Sequence, residues 1–361
     1  MKPHPLALLL SFSVSASACS LIVGTDGLAG GAAEDGGPGS GGDAKPQDES
    51  STTSDASTDS CIGDACVAPP IPPCDGPCLP VLIATDFSAK GIAADESGVY
   101  WTALGDGDVK RANVDGTGVT TLFDGNQAPS LLALDDTFVY WTETNSGLVS
   151  AVRKDANHGT RVTLGGQVDV NAIAVSNGEV FFHVRSTGEV RRGPVALTSS
   201  TLLTTETSGK VPRLVADAQF VYLGVTGPTN RVRRTPRVNP GATPTDLTAR
   251  GTDFFDFAID AARVYSARGF DGLVVSEKLD GTGDAITHAS GEATPSCIAV
   301  DDTYVYWGNQ DSGHVKRTTK TAGGAVETLA TGQAQPFAIA VNSRAVYWLN
   351  TNGAVMTIRK P

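Results

Sequence analysis

The sequence is short of the features that mark several common protein classes. Only 18% of its 361 residues are charged, too few for a coiled coil. It has two methionines and six cysteines, four of them between Cys61 and Cys78, so no thiolate-rich metal scaffold runs along the chain. No apolar run approaches the roughly 20 residues that a bilayer span requires. Gly-x-Ser-x-Gly, His-Glu-x-x-His and phosphate-loop motifs are missing. The five histidines, His4, His158, His183, His288 and His314, are scattered along the chain. The sequence therefore names no catalytic residue, metal ligand or cofactor. A net charge of -12 argues against nucleic acid as a partner.

The acidity is local. Ten Asp and Glu face Lys45 alone between Ser20 and Cys78, which leaves a nearly neutral body behind an acidic lead. Ahead of that lead, Lys2 and His4, the apolar Leu6 to Val14 and the small Ser15 to Ala18 read as a signal peptide over 1–18. Ala16-Ser17-Ala18-Cys19 resembles the lipobox of bacterial lipoproteins, with Ala16 where Leu is usual. Lipidation of Cys19 would supply a stable, multiply acylated anchor, the chain's only membrane attachment. Ser20 in place of Asp resembles sorting to the outer membrane or cell surface.

Within residues 19–60, Gly24 to Ser60 are mostly Gly, Ala, Ser, Thr, Asp and Glu, with Leu28 the one large aliphatic side chain. Such a composition cannot offset its ordering entropy, so a disordered tether is expected. A Gly/Ser-rich chain of about 50 residues spans ~40 Å. In the Pro-rich segment 61–78, Cys61, Cys66, Cys74 and Cys78 lack histidine neighbours. In an exported chain two local disulfides are the expectation, with connectivity open. Cys297 is left over and reads as a buried thiol.

Residues 79–361 are periodic. Val-Tyr-Trp occurs at Val99, Val139, Val305 and Val346, with weaker copies at Val180, Val221 and Val264. The central aromatic recurs at steps of 40, 41, 41, 43, 41 and 41 residues, and all four tryptophans share one repeat position. Each unit orders an apolar segment, the aromatic segment, a segment centred on a valine such as Val109 or Val315, and a fourth short segment. Turns such as Asp115-Gly116 and Asp280-Gly281 separate them. Four short strands per unit of about 41 residues predict an all-β propeller. The last unit stops one strand short, and Val81 to Thr85 resembles the missing strand. Pairing it into the final unit closes a seven-bladed ring. Six blades is the alternative, because the fourth and fifth units diverge most.

Tyr100-Trp101-Thr102 followed by Val109 to Gly116 resembles the YWTD repeat, also called the low-density-lipoprotein-receptor class B repeat, which occurs in bacterial cell-surface lipoproteins as well. The resemblance covers 79–361 and is strongest in the first, second, sixth and seventh units. Where the motif has Asp, this chain has Ala103, Glu143, Asn309 and Asn350 in those units. The resemblance implies a binding or scaffold domain without catalytic residues to carry over.

Three sets of residues then compete for a role. Asp95, Asp135, Asp217, Asp260 and Asp301 close the apolar segments and are expected to accept turn hydrogen bonds; the competing role is a cation-binding ring. Arg191, Arg192, Arg233 and Arg234 form a candidate basic edge for an anionic glycan, lipid headgroups or the tether. Lys90, Gln127, Asn171, Arg213, Asp256, Glu292 and Gln335, in the links into the inner strands, are expected to ring one channel mouth as a ligand face. The Tyr/Trp stripe is expected to pack between blades, a carbohydrate platform being the other possibility. The function expected is a monomeric, lipid-anchored envelope protein whose propeller binds protein or glycan. The alternatives are a channel-mouth lyase or hydrolase with a bound cation, or a purely structural role.

Overall fold

The computed structural model describes residues 78–360, apart from 168, 229, 249–253 and 284. The signal, the tether, Cys19, Cys61, Cys66 and Cys74 lie outside the described residues. Cys78 stands at their edge. Every regular element described is a β-strand, and the 28 strands form seven four-stranded antiparallel sheets.

Each sheet is one blade, ordered from the channel outward in chain order. Blade 1 comprises Ala89–Asp95, Gly98–Ala103, Asp108–Ala112 and Thr120–Phe123. The inner strands of blades 2 to 7 are Pro129–Leu134, Val170–Ser176, Lys210–Ala216, Asp256–Ile259, Pro295–Val300 and Pro336–Val341. Each inner strand packs on those of the blades beside it, and the last meets the first. Val81–Thr85 pairs antiparallel with Ala354–Arg359 and supplies the outer strand of blade 7. The expected strand exchange therefore closes the ring, and the seven sheets exclude the six-bladed alternative. A closed ring leaves each blade only a short outer edge, which limits edge-to-edge pairing.

The period-two pattern of the strands sends alternate side chains to the blades on either side. Trp101, Trp141, Trp307 and Trp348 are wholly buried, as are Tyr100, Tyr140, Tyr306 and Tyr347. The aromatic stripe is thus inter-blade packing, and no sugar reaches it. Divergence of the fourth and fifth units shows as shortened strands: Thr245–Asp246 is all of blade 4's outer strand, and blade 5's inner strand has four residues.

Candidate ligand face

One end of the propeller, here called the mouth, gathers the links into the inner strands and the turns between second and third strands. Among the described residues, six of the seven inner strands shift register as they begin. A bulge inserts a residue and re-aims side chains. Neighbouring residues at the mouth therefore reach the next blade instead of alternating: Asn171 Nδ2 donates to the Val211 carbonyl at 3.1 Å, and Ser296 Oγ to that of Pro336 at 2.7 Å. Just ahead of the bulge, Ala128, Asp169, Thr294 and Gln335 occupy one repeat position with φ of 50–65°; their values are 59°, 65°, 58° and 54°. That region is costly for residues other than glycine.

The seven sequence candidates separate into layers instead of forming one ring. Gln127 and Gln335 are exposed in the links. Lys90 and Asn171 are half-buried, and burial holds the Lys90 amine below its ordinary range. Arg213 and Asp256 are buried. Glu292 belongs to a packing clasp: its Oε2 accepts from Trp307 Nε1 at 3.1 Å and pairs with Lys316 at 3.0 Å. Burial pushes its carboxyl up, but hydrogen bonds from Asn309, Trp307 and Lys316 outweigh that and hold it low.

The clasp repeats. Asp86, Asn126 and Gln333 accept from Trp101, Trp141 and Trp348 Nε1 at 3.2, 3.1 and 3.0 Å, each acceptor 15 residues before its tryptophan. Their backbone N–H groups donate to Gly353, Gly107 and Gly313 carbonyls of the preceding blade. Sequence reasoning missed these residues. A polar residue at a constant offset from every tryptophan was the available signal.

Two buried polar pairs lie in the diverged blades. Arg213 and Asp256 are 3% and 0% exposed, with Nε 3.4 Å from Oδ1. Asp256 Oδ2 also accepts from the Ile298 N–H of blade 6 at 3.1 Å. In blade 3, His183 Nδ1 lies 2.6 Å from Asn171 Oδ1. Because Asn171 gives its amide N–H to Val211, its oxygen accepts, so His183 Nδ1 is the donor and Nε2 bears the lone pair. Burial, then the Arg185 charge, depresses His183 to about 4, so the ring is neutral at pH 7.

The other two sets are structural. Asp135, Asp217, Asp260 and Asp301 each accept two turn N–H groups and the hydroxyl of the tyrosine five residues on, the last at 2.6–2.7 Å. Asp95 accepts from Ser97 and pairs with Lys154 of blade 2. Lys320 and Lys360 likewise reach back one blade, to Asp260 at 2.9 Å and Asp301 at 2.6 Å. These carboxylates stand at the end opposite the mouth, in turns, not in a cation ring. Among the described residues no group of three or more His, Cys, Asp or Glu could hold a metal ion.

The basic edge is tied up in ion pairs and hydrogen bonds within and between blades, correcting the expectation of an open cationic face. Arg191 pairs with Glu189 at 2.9 Å, and Arg233 with Glu206 and Asp246. Arg192 donates to the Arg237 carbonyl, and Arg234 to the Leu279 carbonyl at 2.6 Å, each in the following blade. Arg111 does the same to Lys154 at 2.8 Å.

No known family model and no curated protein matches the sequence. Solved structures do share the fold. A streptogramin B lyase aligns with a TM-score of 0.64 at 10% identity, covering 79% of this chain and 98% of the lyase. The virginiamycin B lyase of Staphylococcus aureus gives 0.64 at 12% identity, covering 79% and 99%. The WD40 propeller domain of Doa1 gives 0.63 at 15% identity, covering 78% and 95%. At such identities the likeness extends to architecture alone, and with the seven sheets and their strand-exchanged closure it makes this chain a seven-bladed β-propeller.

Proposed function

We propose that the chain is an exported, lipid-anchored protein whose propeller is a binding module for a protein or glycan partner at the cell envelope. The signal-like Met1 to Ala18, the lipobox-like Ala16 to Cys19 and the YWTD-like units support the setting. The carrying observation is the contrast within the mouth. Where the repeat is regular, polar side chains there clasp tryptophans; where it diverges, His183, Arg213 and Asp256 are buried at the mouth without a tryptophan to clasp. Buried polar groups off the repeat pattern mark a site grafted on a scaffold. The neighbouring lyases share the fold, but a lyase or hydrolase would draw on groups converging at one point. Here His183 pairs with Asn171 while Arg213 pairs with Asp256.

The test combines anchor and face. Cys19→Ala should abolish incorporation of labelled palmitate and release the protein from the membrane fraction; a labelled variant overturns the anchor. A photo-crosslinker at Gln335, on the mouth, should capture an envelope partner. One at Val238 should not. Val238 is exposed in a turn at the other end, beside Arg237, whose N–H donates to Gln219. Equal capture from both positions overturns the mouth as the binding face.

A further inference from the structure

The strand that closes the ring is also the barest. Of the outer strands with four or more residues, Val81–Thr85 alone buries none of them. Val81 and Leu82 are 53% and 54% exposed, and Leu79 just ahead of them is 74% exposed. Successive strand residues point to opposite faces, so the outer strand of blade 7 is uncovered on both faces. A bare apolar edge of this kind is a template for pairing, and folds guard it.

Blades 1 and 3 show how this propeller guards an outer edge. In blade 1 the Thr121 and Leu122 carbonyls accept the His158 and Gly159 N–H groups, at 3.2 and 2.9 Å. In blade 3 the Leu203 carbonyl accepts the Gly241 N–H at 2.7 Å. Each guard is a loop of the following blade. For blade 7 the following blade is blade 1, whose loop folds on itself: the Asn113 N–H donates to Thr117 and the Gly116 N–H to Asn113, both at 2.8 Å. Among the described residues, no backbone group outside blade 7 bonds to Val81–Thr85.

We propose that the guard of blade 7 is the chain's own Pro-rich neck, residues 66–73 laid antiparallel along Val81–Thr85. The chain reaches this strand at the end opposite the mouth, since Val81 pairs with Thr357 and Thr85 with Ala354, beside the mouth turn. Residues just ahead of Cys78 are therefore held against the bare edge at an effective concentration on the order of millimolar. Asp75-Gly76 is a turn sequence. A return centred on Gly76 sets Pro73 beside Leu79, Ile71 beside Val81 and Pro70 beside Leu82. Val67 and Ile71 supply aliphatic side chains that Gly24 to Ser60, with Leu28 alone, cannot. Pro69, Pro70, Pro72 and Pro73 lack an N–H, so the segment can accept from the closure strand but ends the sheet instead of extending it. The tether then leaves the propeller at the mouth end of blade 7, and a pull on it loads the neck before the strand that holds the ring shut.

The experiment uses the full chain. A photo-crosslinker at Leu82, exposed and so tolerant of replacement, should link within the same molecule to residues 66–73, as mapped by peptide mass spectrometry. Links between two copies that rise with protein concentration, links to a different protein, or no link at all overturn the neck as the occupant. Hydrogen exchange gives the second readout. Ile71→Asp should speed exchange of Val81–Thr85 by about tenfold, while Phe138–Glu143 in blade 2 exchanges as in the parent. Ile71 lies outside the seven blades, so the variant leaves them folded. Leu28→Asp, the same change farther up the tether, should leave Val81–Thr85 unaltered. Equal exchange of that strand in the parent and in Ile71→Asp overturns the proposal.

Discussion

Blades 1, 2, 6 and 7 place tryptophan against the inner strand, while blades 3, 4 and 5 place Phe182, Leu223 and Ser266 there. In the first group the indole fills the seam, and a polar residue of the incoming link fixes its N–H. The second group has no such indole, and beside the inter-blade lysine pairs found around the ring its seams carry arginines: Arg237 pairs with Glu179 at 2.7 Å, Arg233 with Glu206, and Arg213 with Asp256. One backbone architecture is therefore held in two ways. Large buried aromatics stabilise strongly and are indifferent to salt. Partly buried ion pairs contribute less, but they leave side chains at the mouth open to other uses. The regular blades serve as the frame and the diverged blades as the place where chemistry can change.

Truncation at the tryptophan position should break that symmetry most. Trp307→Ala removes a wholly buried indole and leaves Glu292 with one donor fewer, at a cost of about 3–5 kcal/mol. Ser266→Ala, at the same position of blade 5, should stay within about 0.5 kcal/mol. Urea unfolding midpoints of the two variants measure the difference. Equal losses would mean that blade 5 relies on this position as the regular blades do.

The Arg213–Asp256 pair sharpens the contrast. Asp256→Ala leaves a buried guanidinium without its partner and the Ile298 N–H without its acceptor, and should cost about 3–5 kcal/mol. Arg213→Met with Asp256→Leu should cost clearly less than Asp256→Ala alone, because no buried charge is left unpaired and only the Ile298 N–H loses its acceptor. The cycle is read by thermal or urea unfolding of both single variants and the double. A double variant as unstable as the single would make the pair part of the frame, and the division between frame and variable blades would fail at its centre.

The frame was legible in the sequence because its signal is global. A 41-residue period with an aromatic at one position points to seven blades, six staying open only because the fourth and fifth units diverge, and the likeness of Val81 to Thr85 to a missing outer strand points to the closure. The turn role of Asp95, Asp135, Asp217, Asp260 and Asp301 was legible too, since Asp followed by a tight turn has one common use. The mouth was not. Candidates chosen by their place in the links assume equal links and strict alternation, whereas six of the seven inner strands begin with a bulge and the links differ in length. Glu292 therefore lands in the tryptophan clasp, Gln127 and Gln335 fall outside, and only Arg213 and Asp256 meet. The basic edge failed for a related reason. Arg233 has its partner Glu206 27 residues away, and Arg192 gives its proton to a carbonyl 45 residues away. A charge run read along one strand does not see counter-groups that arrive with the next blade.

His183 carries the contrast into pH. Blades 1 and 2 hold Thr102 and Thr142 where blade 3 has this histidine, wholly buried and depressed to about 4 against an ordinary value of 6.5. As pH falls, the unfolded chain takes the proton first and the folded chain resists it. The stabilisation tied to neutral His183 is thus complete above about pH 6.5, is lost between 6.5 and 4, and is constant below. The gap corresponds to a loss on the order of 3 kcal/mol. His288, also held down by burial, adds to the same limb, whereas Asp260, Asp301 and Glu292 are held below their ordinary values and titrate at lower pH. Unfolding free energies of the parent and of His183→Thr, compared at pH 7 and pH 4.5, isolate the contribution. The variant puts the regular blades' residue into blade 3 and should flatten most of the slope in that window while leaving the steeper fall below pH 4. An unchanged slope would assign the acid sensitivity to the ion pairs of blades 3 to 5, and the two groups of blades would then differ in how they are fastened but not in what they bury.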